Sequence, residues 1–197
     1  MPLDRSELAQ RIAMTGPKDL VRGGVFHALL EAVAQRAPGD VALPRLFSRW
    51  GPQVLQELHF YPVAEWLELY WDAVGVAEGP CGGPDAAAKL LGEAACRHFL
   101  GSLIGRLAVE AGASKQPLER LMAMPAGFAA ATSYGLRAAE RIDDRRGVLR
   151  YEREFAPAAF HAAVAHKVLR YGGHKVSIRP VVKGLLEFEL QVEWMPG

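Results

Sequence analysis

Leu186-Glu-Phe-Glu-Leu-Gln-Val-Glu-Trp194 alternates apolar and polar residues without a break. A period of two puts Leu186, Phe188, Leu190, Val192 and Trp194 on one face of a β-strand, and Glu187, Glu189, Gln191 and Glu193 on the other. An apolar face of that size needs a covering layer, since burying each side chain contributes about 1.5–3 kcal/mol before chain entropy is subtracted. Just upstream, Val176, Ile178 and Val182 read as a partner strand that turns at Lys183-Gly184. Pro157 opens a helix carrying Phe160, Val164, Val168 and Tyr171, which Gly172-Gly173 stops. Before it, two extended runs, Gly135 to Asp143 and Gly147 to Phe155, flank a turn at Asp144-Arg-Arg-Gly147. On the second run Leu149, Tyr151 and Phe155 share one face, and Arg150, Glu152 and Glu154 the other. The chain therefore closes as hairpin, helix, hairpin (ββαββ).

The first two thirds carry the helical period instead. An amphipathic piece runs from Glu7 to Met14, and Val25 to Gln35 places Phe26, Leu29, Leu30 and Val33 at helical spacing. A Pro- and Trp-rich stretch follows up to Gly51-Pro52, then a short helix is expected over Gln53 to Leu58. A largely buried helix opens at Tyr61-Pro62, with Val63, Trp66, Leu67, Tyr70, Trp71 and Val74 around it. Gly75 to Pro84 reads as a flexible loop, after which Asp85 caps a long helix reaching Ala111. In that helix Leu91, Ala95, Phe99, Leu103 and Leu107 recur every fourth residue, while Gly101 and Gly105, one turn apart, predict close approach of another backbone or of a bound group. Ser114 and Pro117 start a short helix through Met122. The expected architecture is α+β, with N-terminal helices packed on a C-terminal antiparallel sheet. Residues 1–20 form a helical appendage and residues 21–197 a single domain.

Composition excludes several functions. With 23 basic and 22 acidic residues the 197-residue chain has no electrostatic footprint for nucleic acid and no polybasic patch for anionic lipid. Arg97, His98 and Arg106 interrupt the longest apolar helix, so no membrane span is expected. The start has no basic region followed by an apolar run, which makes a cytoplasmic location the default.

Catalytic and metal motifs are weak. Cys81 and Cys96 have neither metal spacing nor an activating context, and no Gly-x-Ser-x-Gly elbow occurs. The glycine-rich loop Gly79 to Gly83 and the Arg22-Gly23-Gly24 turn lack the Lys-Ser/Thr of a phosphate loop. His161 and His166, five apart on a helix, face different ways and cannot copy an i, i+4 metal pair. Asp143 and Asp144 sit in a turn, where solvation is the expected role. No catalytic residue and no metal ligand is assigned. One enrichment remains: Trp50, Phe60, Tyr61, Trp66, Tyr70 and Trp71 cluster in a short span, as core packing or as the wall of an apolar pocket.

Val21-Arg-Gly-Gly-Val-Phe26, Tyr61-Pro-Val-Ala-Glu-Trp66, the stretch from Leu91-Gly92 through Phe99 to Gly105-Arg106, and the closing hairpin together resemble a paralogous myxobacterial family of about this length. More distantly, helices followed by hairpin, helix, hairpin are similar to the superfamily of haem nitric-oxide-binding domains, 4-vinyl reductase domains and vesicle-tethering subunits. That similarity implies a small-molecule or lipid pocket between helices and sheet, and often dimerisation. The haem-binding pattern needs a proximal histidine and, some thirty residues later, a Tyr-x-Ser-x-Arg run. His98 precedes Ser133-Tyr134-Gly-Leu-Arg137 at such a distance, but the order is Ser-Tyr-x-x-Arg. No cofactor is therefore assigned, and haem stands as the disfavoured alternative. The expected function is a non-enzymatic sensor or binding domain in signalling. Its apolar pocket would be lined by Phe99, Leu103 and Tyr134, with His98 and Arg137 as polar ends. The alternative is a homodimeric interaction or scaffold domain without a small ligand.

Overall fold

The computed structural model describes residues 4–102, 105, 116–170 and 173–195. In chain order these form α1 (Arg5–Ala13), β1 (Leu20–Arg22), α2 (Gly23–Arg36), α3 (Leu43–Trp50), β2 (Phe60–Pro62), α4 (Val63–Cys81), α5 (Pro84–Gly101) and α6 (Pro117–Ala131). The C-terminal part follows as β3 (Leu136–Arg141), β4 (Arg146–Glu152), α7 (Ala158–Leu169), β5 (Lys175–Gly184) and β6 (Glu187–Met195). The architecture is α+β, as expected.

The four C-terminal strands make one antiparallel sheet in the order β3-β4-β6-β5. All five apolar residues from Leu186 to Trp194 are buried, Phe188 to Trp194 on its inner face and Leu186, in the turn before β6, against the helical cluster. There Phe188, Leu190, Val192 and Trp194 join Leu149 and Tyr151 of β4, Leu121 and Met124 of α6, and Ala165 and Leu169 of α7 in one apolar cluster. A second, larger cluster lies among the helices around Phe26, Trp66, Tyr70 and Leu91. Helix α7 is the middle layer. Its Phe160 belongs to the helical cluster, with the ring edge-on to Trp66 and Tyr70, while Ala165 and Leu169 face the sheet. Gly92 lets α5 approach α7 this closely: a Cβ there would lie 2.4 Å from the Phe160 carbonyl oxygen.

Several expectations are corrected. The Pro-rich stretch contains α3, with Pro44 in its first turn and Leu43, Leu46 and Trp50 buried. Gln53 to Leu58 forms turns rather than a helix. Tyr61 and Pro62 belong to β2, which pairs with β1, and α4 starts at Val63. Gly75 to Pro84 is not a loop up to Cys81, because α4 continues through it to bury Ala73, Val74 and Ala77. Gly75 and Gly79 face open space, so their roughly 1 kcal/mol cost each is outweighed by that burial. Gly82, at φ +85°, ends the helix in the left-handed region, and the Gly83 N–H donates to the Glu78 carbonyl. Gly83, not Asp85, is the N-cap of α5, and Pro84 opens it.

Helix α5 stops at Gly101, where Ser102 turns extended, so Gly101 and Gly105 do not share one continuous helix. The chain folds back closely enough that a Cβ on Gly105 would collide with the Phe99 carbonyl. Leu103, Leu107 and Ser114 lie outside the described residues. Helix α6 runs on to Ala131 with Pro125 inside it. Among the described residues no helix is long and apolar enough to cross a membrane.

Candidate functional site

The first polar feature sits where the end of α5 meets the start of α2. Segment 56–59 lies across the α2 N-terminus, the Gly23 N–H donating to the His59 carbonyl and the Gly24 N–H to the Glu57 carbonyl, both at 2.9 Å. These contacts require the two glycines. A Cβ on Gly23 would stand 2.2 Å from the Gln56 oxygen, and one on Gly24 would stand 3.1 Å from His98 Nε2. His98 fills that hollow, edge-on to the His27 ring at 6.5 Å between centroids. Its Nε2 is buried without a hydrogen-bond partner, the Glu57 carboxylate being 3.5 Å away. Beside it is a gap of about 30 Å³, lined by Val25, Leu58, Ala95, Phe99 and Ala131 together with the polar Arg22, Glu57 and Ser102. That is room for one or two water molecules.

The second feature is a buried charge cluster at the end of β4. Arg153 takes φ +54°, which breaks the strand's alternation and turns both Glu154 and Phe155 inward. This corrects the placing of Glu154 and Phe155 on opposite faces, since both are buried. Its carboxylate is fully buried, and Oε2 accepts from Arg137 Nε at 2.9 Å and again from Arg137 Nη2. Arg137 Nη1 donates to Thr132 Oγ1 (3.1 Å) and to the Tyr134 carbonyl (2.8 Å). The guanidinium lies over the Phe128 and Tyr134 rings, at 5.1 and 5.3 Å. On the other side His161 Nε2 is 3.2 Å from Glu154 Oε1, its ring packed among Tyr151, Phe128 and Phe188. Burial alone would raise the Glu154 carboxyl, but His161, Arg137 and the Ala156 N–H outweigh it and hold it at about 2. Burial and the nearby Glu154 charge push the Tyr134 hydroxyl well up.

The sequence-selected residues thus fall into two groups. His98 and Phe99 line the gap by α2, whereas Tyr134 and Arg137 surround Glu154. Leu103 lies outside the described residues. Ser133 belongs to neither, because its Oγ accepts from the Leu20 N–H and donates to the Lys18 carbonyl. Glu154, His161 and Glu57 were missed, and the one signal for Glu154 was its place directly before Phe155 where the alternation slips. Among the described residues no group of three or more potential metal ligands comes together.

Helices over a hairpin–helix–hairpin sheet give this chain a fold similar to that of solved H-NOX proteins. The chain is similar to the Fe(II) unliganded H-NOX protein from K. algicida at 15% identity, with a TM-score of 0.69, covering 89% of this chain and 97% of that one. It is similar to an S. oneidensis H-NOX protein in the Fe(II)NO ligation state at 13% identity and a TM-score of 0.68, covering 89% and 99%. A third structure, described in terms of modulating haem redox potential through porphyrin distortion, matches at 13% identity and 0.60, covering 87% and 99%. At such identities the likeness is one of fold alone. Residues 15–195 match the family described as protein of unknown function (DUF2378), and the chain belongs to that family. No curated protein matches it.

The fit of a haem to these residues can be tested directly. His98 Nε2 is free to ligate, but the space beside it is about 30 Å³, against roughly 300–1,000 Å³ for cofactor and ligand pockets. The Arg137 guanidinium is committed to Glu154, and Ser133 to the backbone before β1 and at its start. As arranged, the described residues do not fit the macrocycle.

Proposed function

We propose that the chain is a non-enzymatic small-molecule-binding domain of the sensor class, with its site at the His98 gap. The carrying observation is His98 Nε2, buried without a hydrogen-bond partner and 3.5 Å from the Glu57 carboxylate, at the wall of a mostly apolar hollow. Leaving a buried polar atom unpaired costs about 1–3 kcal/mol, which a ligand offering one hydrogen bond would offset. The ligand is small and apolar, with a single polar group for His98. Admitting it requires segment 56–59 to lift from α2, breaking the Arg22 Nη1 bond to the Leu58 carbonyl and the Gly24 bond to Glu57. That movement is the signal such a domain would pass on. A binding rather than catalytic role is supported by Cys96, whose thiol burial pushes up to about 12, away from nucleophilic use.

Native mass spectrometry of protein purified from its own host tests this. The expected result is an adduct released on denaturation, lost in His98→Ala and in Phe99→Trp, which fills the gap. Bare protein, or an adduct that both variants retain, overturns the site. Bare protein as a stable dimer would favour the scaffold function instead.

A further inference from the structure

A second, larger cleft lies where α1 meets α3 and α4, and shares no lining residue with the His98 gap. Its volume is about 320 Å³, within the range of small-molecule sites. The α1 wall is aliphatic: Leu8, Ala9 and Ile12. Three arginines stand around it, Arg5 from α1 and Arg45 and Arg49 from successive turns of α3. Facing them on α4 are two carboxylates, also one turn apart. Asp72 accepts from Arg5 on Oδ1 (2.7 Å) and from Arg45 on Oδ2 (3.0 Å), and Glu68 accepts from Arg49 at 2.5 Å.

The charges do not balance. One carboxylate serves two guanidiniums, so the cleft carries a net positive charge, and each arginine keeps unused N–H donors in a fork suited to an oxyanion. An ion-pair clip that only fastened α1 to the fold would need neither the third arginine nor a hollow of this size. We propose that this cleft binds a singly charged organic anion with a short aliphatic body. The acid group sits among Arg5, Arg45 and Arg49, and the chain lies on Leu8, Ala9 and Ile12. Because α1 precedes the family-matched residues 15–195 while α3 and α4 lie within them, one wall of the cleft comes from outside the shared domain.

Hexanoate is a suitable probe, titrated calorimetrically into the full chain with hexan-1-ol and acetate as controls. The expected result is saturable one-site binding of hexanoate that weakens with salt and is absent for either control. Arg45→Gln/Arg49→Gln and Ala9→Trp, all at exposed positions, are each expected to weaken it about tenfold or more. No saturable hexanoate binding, equal binding of hexanol, or binding unchanged in both variants overturns the proposal. His98→Ala leaves hexanoate binding intact, so the two sites fail or stand separately.

Discussion

Arg137 and Glu154 are paired inside the protein, with side chains 6% and 0% exposed, and the guanidinium places two donors on a single carboxylate oxygen. A pair this deep is more fragile to halving than to replacement. Removing one partner leaves the other charge unmatched, at a cost of about 3–5 kcal/mol, whereas two apolar residues of similar volume lose far less. Glu154→Leu and Arg137→Met are each expected to lower the urea midpoint sharply. Glu154→Leu/Arg137→Met should lose less than the two single effects combined. Additive losses in the double-mutant cycle would show that the pair is not coupled.

The same carboxylate predicts an acid limit. Its folded pKa of about 2 lies below the ordinary value of 4.5, so between those values the unfolded chain binds more protons and stability rises with pH. The contribution is complete above about pH 4.5 and disappears as pH falls through about 2. Unfolding free energy measured from pH 6 to pH 2 should fall more steeply for the native chain than for Glu154→Gln. Parallel curves would remove Glu154 from the acid response.

Two glycine substitutions should have opposite signs. Gly92→Ala drives a methyl to 2.4 Å from the Phe160 carbonyl and should destabilise by about 1–3 kcal/mol or more. Gly75→Ala adds a methyl in open space on α4 and should stabilise by about 0.5–1 kcal/mol. Thermal melting reads both, and a matching sign would contradict the packing of α5 on α7.

Haem chemistry is checked by absorption. Protein expressed with haem supplementation is expected to show no Soret band, because the hollow at His98 is of water size and Arg137 is taken by Glu154. A stoichiometric Soret band lost in His98→Ala would overturn that.

Much of this fold could be read from side-chain period alone. The run from Phe188 to Trp194 is buried where its alternation put it, since a strand offers only two faces. Composition misled where it overrode period. Leu43, Leu46 and Trp50 already had helical spacing, yet the prolines around them left the stretch without an assigned element, and Gly75 and Gly79 disguised a helix whose buried side carries Val74 and Ala77. The site was harder still. His98 drew notice as a histidine on an apolar helix, but Glu57 reaches it only because segment 56–59 folds over α2, a contact no local pattern encodes. Glu154 grouped with Arg150 and Glu152 because the φ of Arg153 cannot be seen in the residue names.

That single left-handed residue gives a way to sort other members of the family from their sequences. A chain ending its second sheet strand with an acid directly before an aromatic, and carrying an arginine in the preceding strand and a histidine in the following helix, has the parts for a sealed ion pair of this kind. A chain with an apolar residue at the acid's position would leave the arginine without its internal counter-charge. Its guanidinium would then keep donors unpaired inside the fold, so one codon separates a sealed centre from an open one.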